Sequence, residues 1–306
     1  MHHILRIVEK ITVAAVTVAG GVIVFCIKLI AYLISNSVAL LSDALESIIN
    51  IAASSIMFFT IYVSVKPPDE SHQYGHQKIE EVSRLIEGIL IVIASIFLLY
   101  TAYNRIFNPT ELHSLDVAII TSIIAGGVNS GIAYRLLKES KIKSSPAFEG
   151  DAKHLFSDIL SSMAIWIGLG IVYFTGYIFI DSILAIGVSI FIMKMGLELI
   201  IKSSNYLIDP ASKEADRKLR EILEDHKHFF TEYHDLKTRR SGNMIFSEVH
   251  LVVNDNMTVK EAHDIADHLE EEIRHRLPEV NMIIHVEPES EKREAGKIKQ
   301  SKTAKT

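Results

Sequence analysis

Apolar and polar residues alternate on two different scales along this chain. Through the first two thirds, apolar runs of bilayer-crossing length follow one another over about residues 11–34, 38–65, 80–103, 115–137, 148–174 and 178–201. A helix needs about 20 mainly apolar residues to cross the hydrocarbon layer, so the pattern predicts six transmembrane helices. Turn residues punctuate them: Ser35-Asn36-Ser37, Pro67-Pro68 with Gly75, Asn108-Pro109, Pro146 and Gly176. A short amphipathic entry with Arg6 and Lys10 precedes the first run, and residues 138–147 form a basic linker before the fifth. The third run starts amphipathic, with Glu80, Glu81, Arg84 and Glu87. Gly126 and Gly127 in the fourth offer a place for close helix contact.

After Pro210 the period changes. Residues 212–227 predict a helix with Leu219, Ile222 and Leu223 on its apolar face. Residues 233–240 and 244–253 alternate as two strands joined at Ser241-Gly242. Asn256 or Thr258 caps a helix running to residue 277, with Ile265, Leu269 and Ile273 as its stripe, and 280–286 is a third strand. The order αββαβ is that of a small two-layer α+β domain. The charged tail from Glu289 reads as disordered. The chain thus divides into a membrane domain over 1–209, a soluble domain over 210–290 and a tail over 291–306.

Charge sets the orientation. Arg6, Lys10, Lys66, Lys78, Arg135, Lys138, Lys141 and Lys143 all fall on one side of the predicted helices, and the turns at 35–37 and Gly176 carry no Lys or Arg. Positive loops stay in the cytoplasm, so both termini are expected there, in the inner (cell) membrane of a bacterium or archaeon. The first run continues past Ile30 without a small-residue cleavage site, unlike a signal peptide.

Composition narrows the function. The chain is 49% hydrophobic yet 22% charged, which fits only because the charges are segregated. A net charge of -6 argues against a nucleic-acid partner. Cys26 is the single cysteine, leaving no disulfide framework and no Cys-rich zinc motif. There are 14 histidines, concentrated in the soluble part.

Polar pairs inside the apolar runs carry the candidate chemistry. His154 and Asp158 are four residues apart in the fifth run, and Glu46 and Asn50 are four apart in the second. Each pair shares a helix face. One histidine, two carboxylates and an amide oxygen suit a tetrahedral divalent ion, zinc by default, with Mn²⁺ or Fe²⁺ also compatible. The competing reading is polar side chains bonding helices together, which this concentration of ionisable groups exceeds. Asp43 and Asp151 lie a turn or less earlier, as gate residues or as helix-end carboxylates. In the 66–78 loop, Asp69, His72 and His76 have the spacing of a metal clip, although loop histidines are commonly just solvated. In the soluble domain, His234, His250, His263, His285 and Glu287 are further candidates, with Asp235 beside the first and His285 and Glu287 on one strand face. His226, His228, His268 and His275 read as surface residues.

No GxSxG, Walker A or GxGxxG segment is present, so an enzyme is not expected, and neither is an organic cofactor or ATP as the energy source within this chain. An ion-coupled transporter remains. Imidazole titrates near neutrality, so His154 can exchange a metal ion for a proton.

Four segments together resemble the cation diffusion facilitator family, and within it the YiiP-type bacterial zinc and iron exporters: SNSVALLSDALES, PPDESHQYGHQKIE, HLFSD, and HDLKTRRSG with VHLVV, EAHDIAD and IIHVEP. The resemblance spans residues 5–289. It implies a homodimer of six-span subunits, each with a cytosolic ferredoxin-like domain, exporting divalent metal against protons. It implies a transport site at Glu46, Asn50, His154 and Asp158, a loop site at Asp69, His72 and His76, and a binuclear cytosolic site at His234, His250, His263, His285 and Glu287. It also implies a Lys78–Asp209 ion pair in the dimer. Two positions depart from the family pattern. Glu46 and Asn50 stand where Asp or His, then Asp, is usual, and Glu287 where Asp is common. The expected function is a proton-coupled exporter of divalent transition metal, zinc first, with iron, manganese, cobalt or cadmium possible. The alternative is a membrane-anchored metal sensor that moves no ions.

Overall fold

The computed structural model describes residues 2–35, 38–107, 115–175, 179–242 and 244–291. The expected turns at 36–37, 108–109 and 176 and the tail beyond Glu291 lie outside them, as do the side chains of Asp43 and Glu46. The chain separates into two compact units, Met1–Leu207 and Ile208–Thr306.

The first unit consists of long helices: α1 (His2–Ser35), α2 (Val38–Ser64), α3 (Ile79–Phe107), α4 (Leu115–Ile142), α5 (Pro146–Thr175) and α6 (Phe179–Leu207). Among the described residues, α1, α2, α3 and α6 each carry a stretch long and apolar enough to cross a membrane. The helices overrun the apolar runs. The amphipathic entry is continuous with α1, and α4 absorbs the first half of the basic linker. Lys, Arg and Glu are good helix formers, so a helix does not stop where its hydrophobicity does. Ser144, at φ 47°, then turns the chain sharply into α5, which opens on Pro146, a proline tolerated in the first turn.

Helices α1, α2, α4 and α5 share one core, built from Val13, Met57, Ile61, Leu136, Phe148 and Leu155. Helices α3 and α6 pack as a pair through Ile91, Ile192, Met195 and Leu199. Glycine makes that pairing close: a Cβ on Gly88 would stand 3.0 Å from the Gly196 carbonyl oxygen, and one on Gly196 2.9 Å from that of Gly88. Gly127, expected as a contact point, meets nothing within 4 Å among the described residues. Outward-facing side chains such as Ile23, Phe97 and Ile190 are apolar and exposed, as lipid-facing positions require.

The second unit contains α7 (Lys213–Asp225), β1 (Glu232–Ser241), β2 (Met244–Val253), α8 (Val259–Arg276) and β3 (Val280–Pro288). Short 3-10 turns at Lys227–Phe229 and Glu289–Glu291 flank them. The sheet order is β1-β2-β3. A hairpin turn at Gly242, φ 60°, joins β1 and β2 antiparallel. The α8 crossover makes β3 parallel to β2. Thr258 and Glu261 close a reciprocal capping box on α8. Val249, Leu251 and Val253 of β2 pack on Leu219 and Leu223 of α7 and Leu269 and Ile273 of α8. By alternation, the even-numbered residues of β2 and the odd-numbered residues of β3 occupy the opposite face of the sheet.

Candidate metal centres

In the helical unit, α2 and α5 bring Asn50, His154 and Asp158 together. Asn50 Nδ2 donates to Asp158 Oδ2 at 2.6 Å, and Asn50 Oδ1 lies 3.0 Å from His154 Nε2. His154 is buried and Asp158 half-buried. Glu46 is one turn before Asn50 on α2, and its side chain lies outside the described residues. Asp151 precedes His154 on the same face of α5. Because α5 begins at Pro146, Asp151 sits inside the helix, and its carboxylate accepts a 2.9 Å hydrogen bond from Ser54 of α2 rather than capping a helix end. A cavity of about 10 Å³ adjoins Asn50, with Thr17, Ser47, Ser54 and Asn129 among its polar walls.

The sequence had left Glu87 in the amphipathic start of the third run. It is fully buried on α3, with one carboxylate oxygen 3.3 Å from His154 Nδ1. The available signal was its depth: it follows Arg84 by one turn, in the part of the run where only apolar residues are expected, and ionisable residues there are functional by default.

Glu80 and Arg84, both buried, anchor charge networks nearer the start of α3. Glu80 accepts from Lys10 Nζ at 2.6 Å and Ser64 Oγ at 2.6 Å, and also from Ser145. Arg84 donates to Ser203 Oγ at 2.8 Å, to Glu149 at 2.8 Å and to Glu81. Lys202 joins Glu149 at 2.7 Å. These bonds, with Lys143 to Glu9 at 2.8 Å, gather the start of α1, the end of α4 and the start of α3 at one end of the bundle.

In the loop, Asp69 lies 3.5 Å from His72 Nδ1 and 3.2 Å from His76 Nε2. The three ligand atoms could share one ion. The Ser71 hydroxyl, and next the His72 backbone N–H, hold the Asp69 carboxyl below the ordinary carboxylate range. Gly75, at φ 84°, supplies the turn that returns His76 to Asp69.

In the second unit, strand register aligns three imidazoles. His234 pairs with His250 across the β1–β2 ladder, and His250 with His285 across β2–β3. Their ring centroids are 5.2 and 4.9 Å apart. Glu287, buried, reaches all three: 2.8 Å to His250 Nδ1, 3.4 Å to His234 Nε2 and 3.7 Å to His285 Nε2. Glu287 Oε2 and His234 Nδ1 are buried without a hydrogen-bond partner. Orphaned acceptors on such a donor set fit a bound cation. A bulge between His234 and Lys237 puts Asp235 in the left-handed region, φ 51°. It brings a carboxylate oxygen of Asp235 within 4.8 Å of the His234 and His250 ligand atoms, although adjacent strand residues ordinarily face opposite ways. His263 stands apart, exposed on α8 and 3.3 Å from Asp267. Asp209 pairs with Arg239 at 3.8 Å.

Comparison with known proteins covers both units. A family model described as the cation efflux transmembrane domain matches residues 14–208, and one described as the cation efflux protein cytoplasmic domain matches residues 211–289. An uncharacterised transporter of Synechocystis sp. is 30% identical over 279 residues, covering 90% of this chain and 89% of that protein. The cation-efflux pump FieF of Klebsiella pneumoniae is 29% identical over 287 residues, covering 93% of this chain and 94% of the pump. A solved structure of CzrB, a candidate zinc transporter, is 40% identical, covering 26% of this chain and 99% of that one at a TM-score of 0.25.

Proposed function

Since this chain belongs to the cation diffusion facilitator family of cation-efflux membrane transporters, we propose that it exports a divalent transition metal, zinc first, from the cytoplasm in exchange for protons. The observation that carries this reading is the convergence of Asn50, His154 and Asp158 between α2 and α5. Three polar groups inside an apolar bundle are expensive unless they serve an ion. Asp158 supplies negative charge, His154 Nε2 a softer nitrogen and Asn50 Oδ1 a neutral oxygen. Glu46, one turn away, is the proposed fourth donor.

The Asn50–Asp158 hydrogen bond is the arrangement an incoming ion replaces. Binding takes the Asp158 oxygen from the Asn50 amide and displaces the Nε2 proton that His154 gives to Asn50 Oδ1, which frees the Nε2 lone pair for the ion. Protons arriving from the far side compete for the same two groups, because imidazole and carboxylate bind metal only when deprotonated. Alternating exposure of the site to the two sides would couple the two flows. The grouping of Lys10, Lys78, Lys143 and Arg84 toward one end of the bundle supports a cytoplasmic assignment of that end and of both termini.

In the second unit, Glu287 with His234, His250 and His285 is the proposed regulatory metal site of a homodimer. His263 would join it only as a ligand arranged differently from its place in the single chain. Lys78 and Asp209 are proposed as the dimer's ion pair, and Asp69, His72 and His76 as a loop site. Asp43 is proposed as a gate residue.

The test is metal flux into proteoliposomes under an imposed pH gradient, with Zn²⁺, Fe²⁺, Mn²⁺, Co²⁺ and Cd²⁺, for wild type and Asp158→Ala. Flux that follows the proton gradient and needs Asp158 supports the exporter. Absence of flux for every ion, with Glu287-dependent metal binding retained, would replace it with a sensor.

A further inference from the structure

We propose that Glu87 is a positioning residue for His154: its carboxylate receives the Nδ1–H, which commits Nε2 to the transported ion. The proposal rests on the exporter reading above for the identity of the ion. His154 is approached from two sides by two helices. Asn50 of α2 faces Nε2 at 3.0 Å, on the side of Asp158, and Glu87 of α3 faces Nδ1 at 3.3 Å. The ring therefore presents one nitrogen to Asn50 and the other to the Glu87 carboxylate.

Glu87 has no competing employment. Its side chain is 0% exposed, and among the described residues neither carboxylate oxygen has a hydrogen-bond partner of good geometry. A buried carboxylate left in that condition is strongly disfavoured, as any uncompensated polar or charged group is. The imidazole Nδ1–H is the donor at contact distance. Such hydrogen bonds are commonly long or misaligned before the ligand arrives and tighten with it. A metal-bound histidine nearly always gives its other ring N–H to a carboxylate, carbonyl or water. The arrangement here has the parts in that order.

The backbone is shaped for it. Gly150 lies one turn before His154 on α5. A Cβ there would stand 3.0 Å from Arg84 Cα and 3.0 Å from Glu87 Cγ. A side chain at this position would press α3 away from α5, at the crossing where Glu87 meets His154. The charge is also useful. Position 50 offers a neutral amide where the family pattern has a second carboxylate, and Glu87 restores electron density to the site through the imidazole.

The experiment measures Zn²⁺ flux in proteoliposomes for the full chain with Glu87→Gln, Glu87→Asp and Gly150→Ala, together with thermal unfolding of each. The expected result is a 10–100-fold rise in half-saturating Zn²⁺ for Glu87→Gln, with unfolding temperature and maximal rate near wild type. Glu87→Asp should recover part of the loss, and Gly150→Ala should lose affinity while keeping every ligand. Unchanged half-saturation, with loss only of folded protein, would make Glu87 structural and overturn the proposal. ¹⁵N resonances of the His154 ring supply a second readout that needs no transport. Nδ1–H should be more populated in wild type than in Glu87→Gln, in competition with the Nε2–H that the Asn50 Oδ1 acceptor favours in the ion-free site. Equal tautomer populations in the two proteins overturn the proposal. If wild type carries no metal flux, the exporter reading falls by itself and the tautomer comparison still decides the role of Glu87.

Discussion

Asn50 Nδ2 donates to Asp158 Oδ2 at 2.6 Å, joining the helices that hold the two halves of the proposed transport site. The amide suits an ion-free site as a carboxylate would not, because it adds no second buried negative charge and supplies a donor to Asp158. Asn50→Asp should therefore reverse the balance. Two facing carboxylates repel when no ion lies between them and bind one more tightly when it does. Thermal unfolding is expected to fall below wild type in chelator and to rise more steeply with added Zn²⁺, since a ligand that binds the native state stabilises it by mass action. A variant with the wild-type response to Zn²⁺ would remove Asn50 from the site.

Glu287 is the carboxylate shared by His234, His250 and His285. Glu287→Ala should weaken Zn²⁺ binding by the soluble unit by at least about tenfold, the lower end of what loss of a supporting carboxylate costs a metal site. His250→Ala should do the same. His263→Ala should have a smaller effect, because His263 is exposed and paired with Asp267. Calorimetric titration of the full chain carrying Asp158→Ala and Asp69→Ala, which disable the proposed transport and loop sites, isolates this binding. An effect of His263→Ala equal to that of His250→Ala would mean that the ligand set is completed by a rearranged or second chain.

Arg84 is buried between Glu81, Glu149 and Ser203. Arg84→Met removes the cation and leaves Glu81 without its partner. Breaking one side of a buried pair costs about 3–5 kcal/mol, so a marked loss of unfolding temperature is expected. Adding Glu81→Gln should recover much of that loss, because it removes the charge left behind. A double variant no better than the single one would show that the packing of the guanidinium, not its charge, matters.

Asp69 has its carboxyl held below the ordinary range by the Ser71 hydroxyl and the His72 amide. A depressed value in the folded loop means that Asp69 contributes order above its ordinary value of 3.8 and loses that contribution only as pH falls through the lower, folded value. The Asp69-linked shift of the Ser71 and His72 amide resonances should therefore have its midpoint below pH 3.8. Movement centred above 3.8 would contradict the loop geometry. Asp69→Asn should abolish the transition.

Local pattern was enough to place the elements. The apolar runs marked the long helices, alternation marked β1 and β2, and Asn256 or Thr258 marked the start of α8, where the structure selects Thr258 and adds Glu261 as its capping partner. The pairs at 46/50 and 154/158 were legible because four-residue spacing on a helix is itself a geometric statement. Helix ends were less legible. The ends of α1 and α4 carry charges that suit water and helix equally, so hydropathy stopped before the hydrogen bonding did.

Tertiary structure decided what depends on how elements cross. Gly127 and Gly150 look alike in a sequence, yet only Gly150 lies where a neighbouring helix leaves no room for a Cβ. That crossing is what carries Glu87, one more acid in an amphipathic stretch, to His154. In the soluble unit the histidines were visible as a set, but strand register aligned His234, His250 and His285, and a bulge turned Asp235 toward the same side. Periodicity is written in neighbouring residues, and a sequence states it directly. The meeting of Glu87 with His154, or of Glu287 with three imidazoles, is fixed by close packing between distant segments, and that is settled only when the chain has folded.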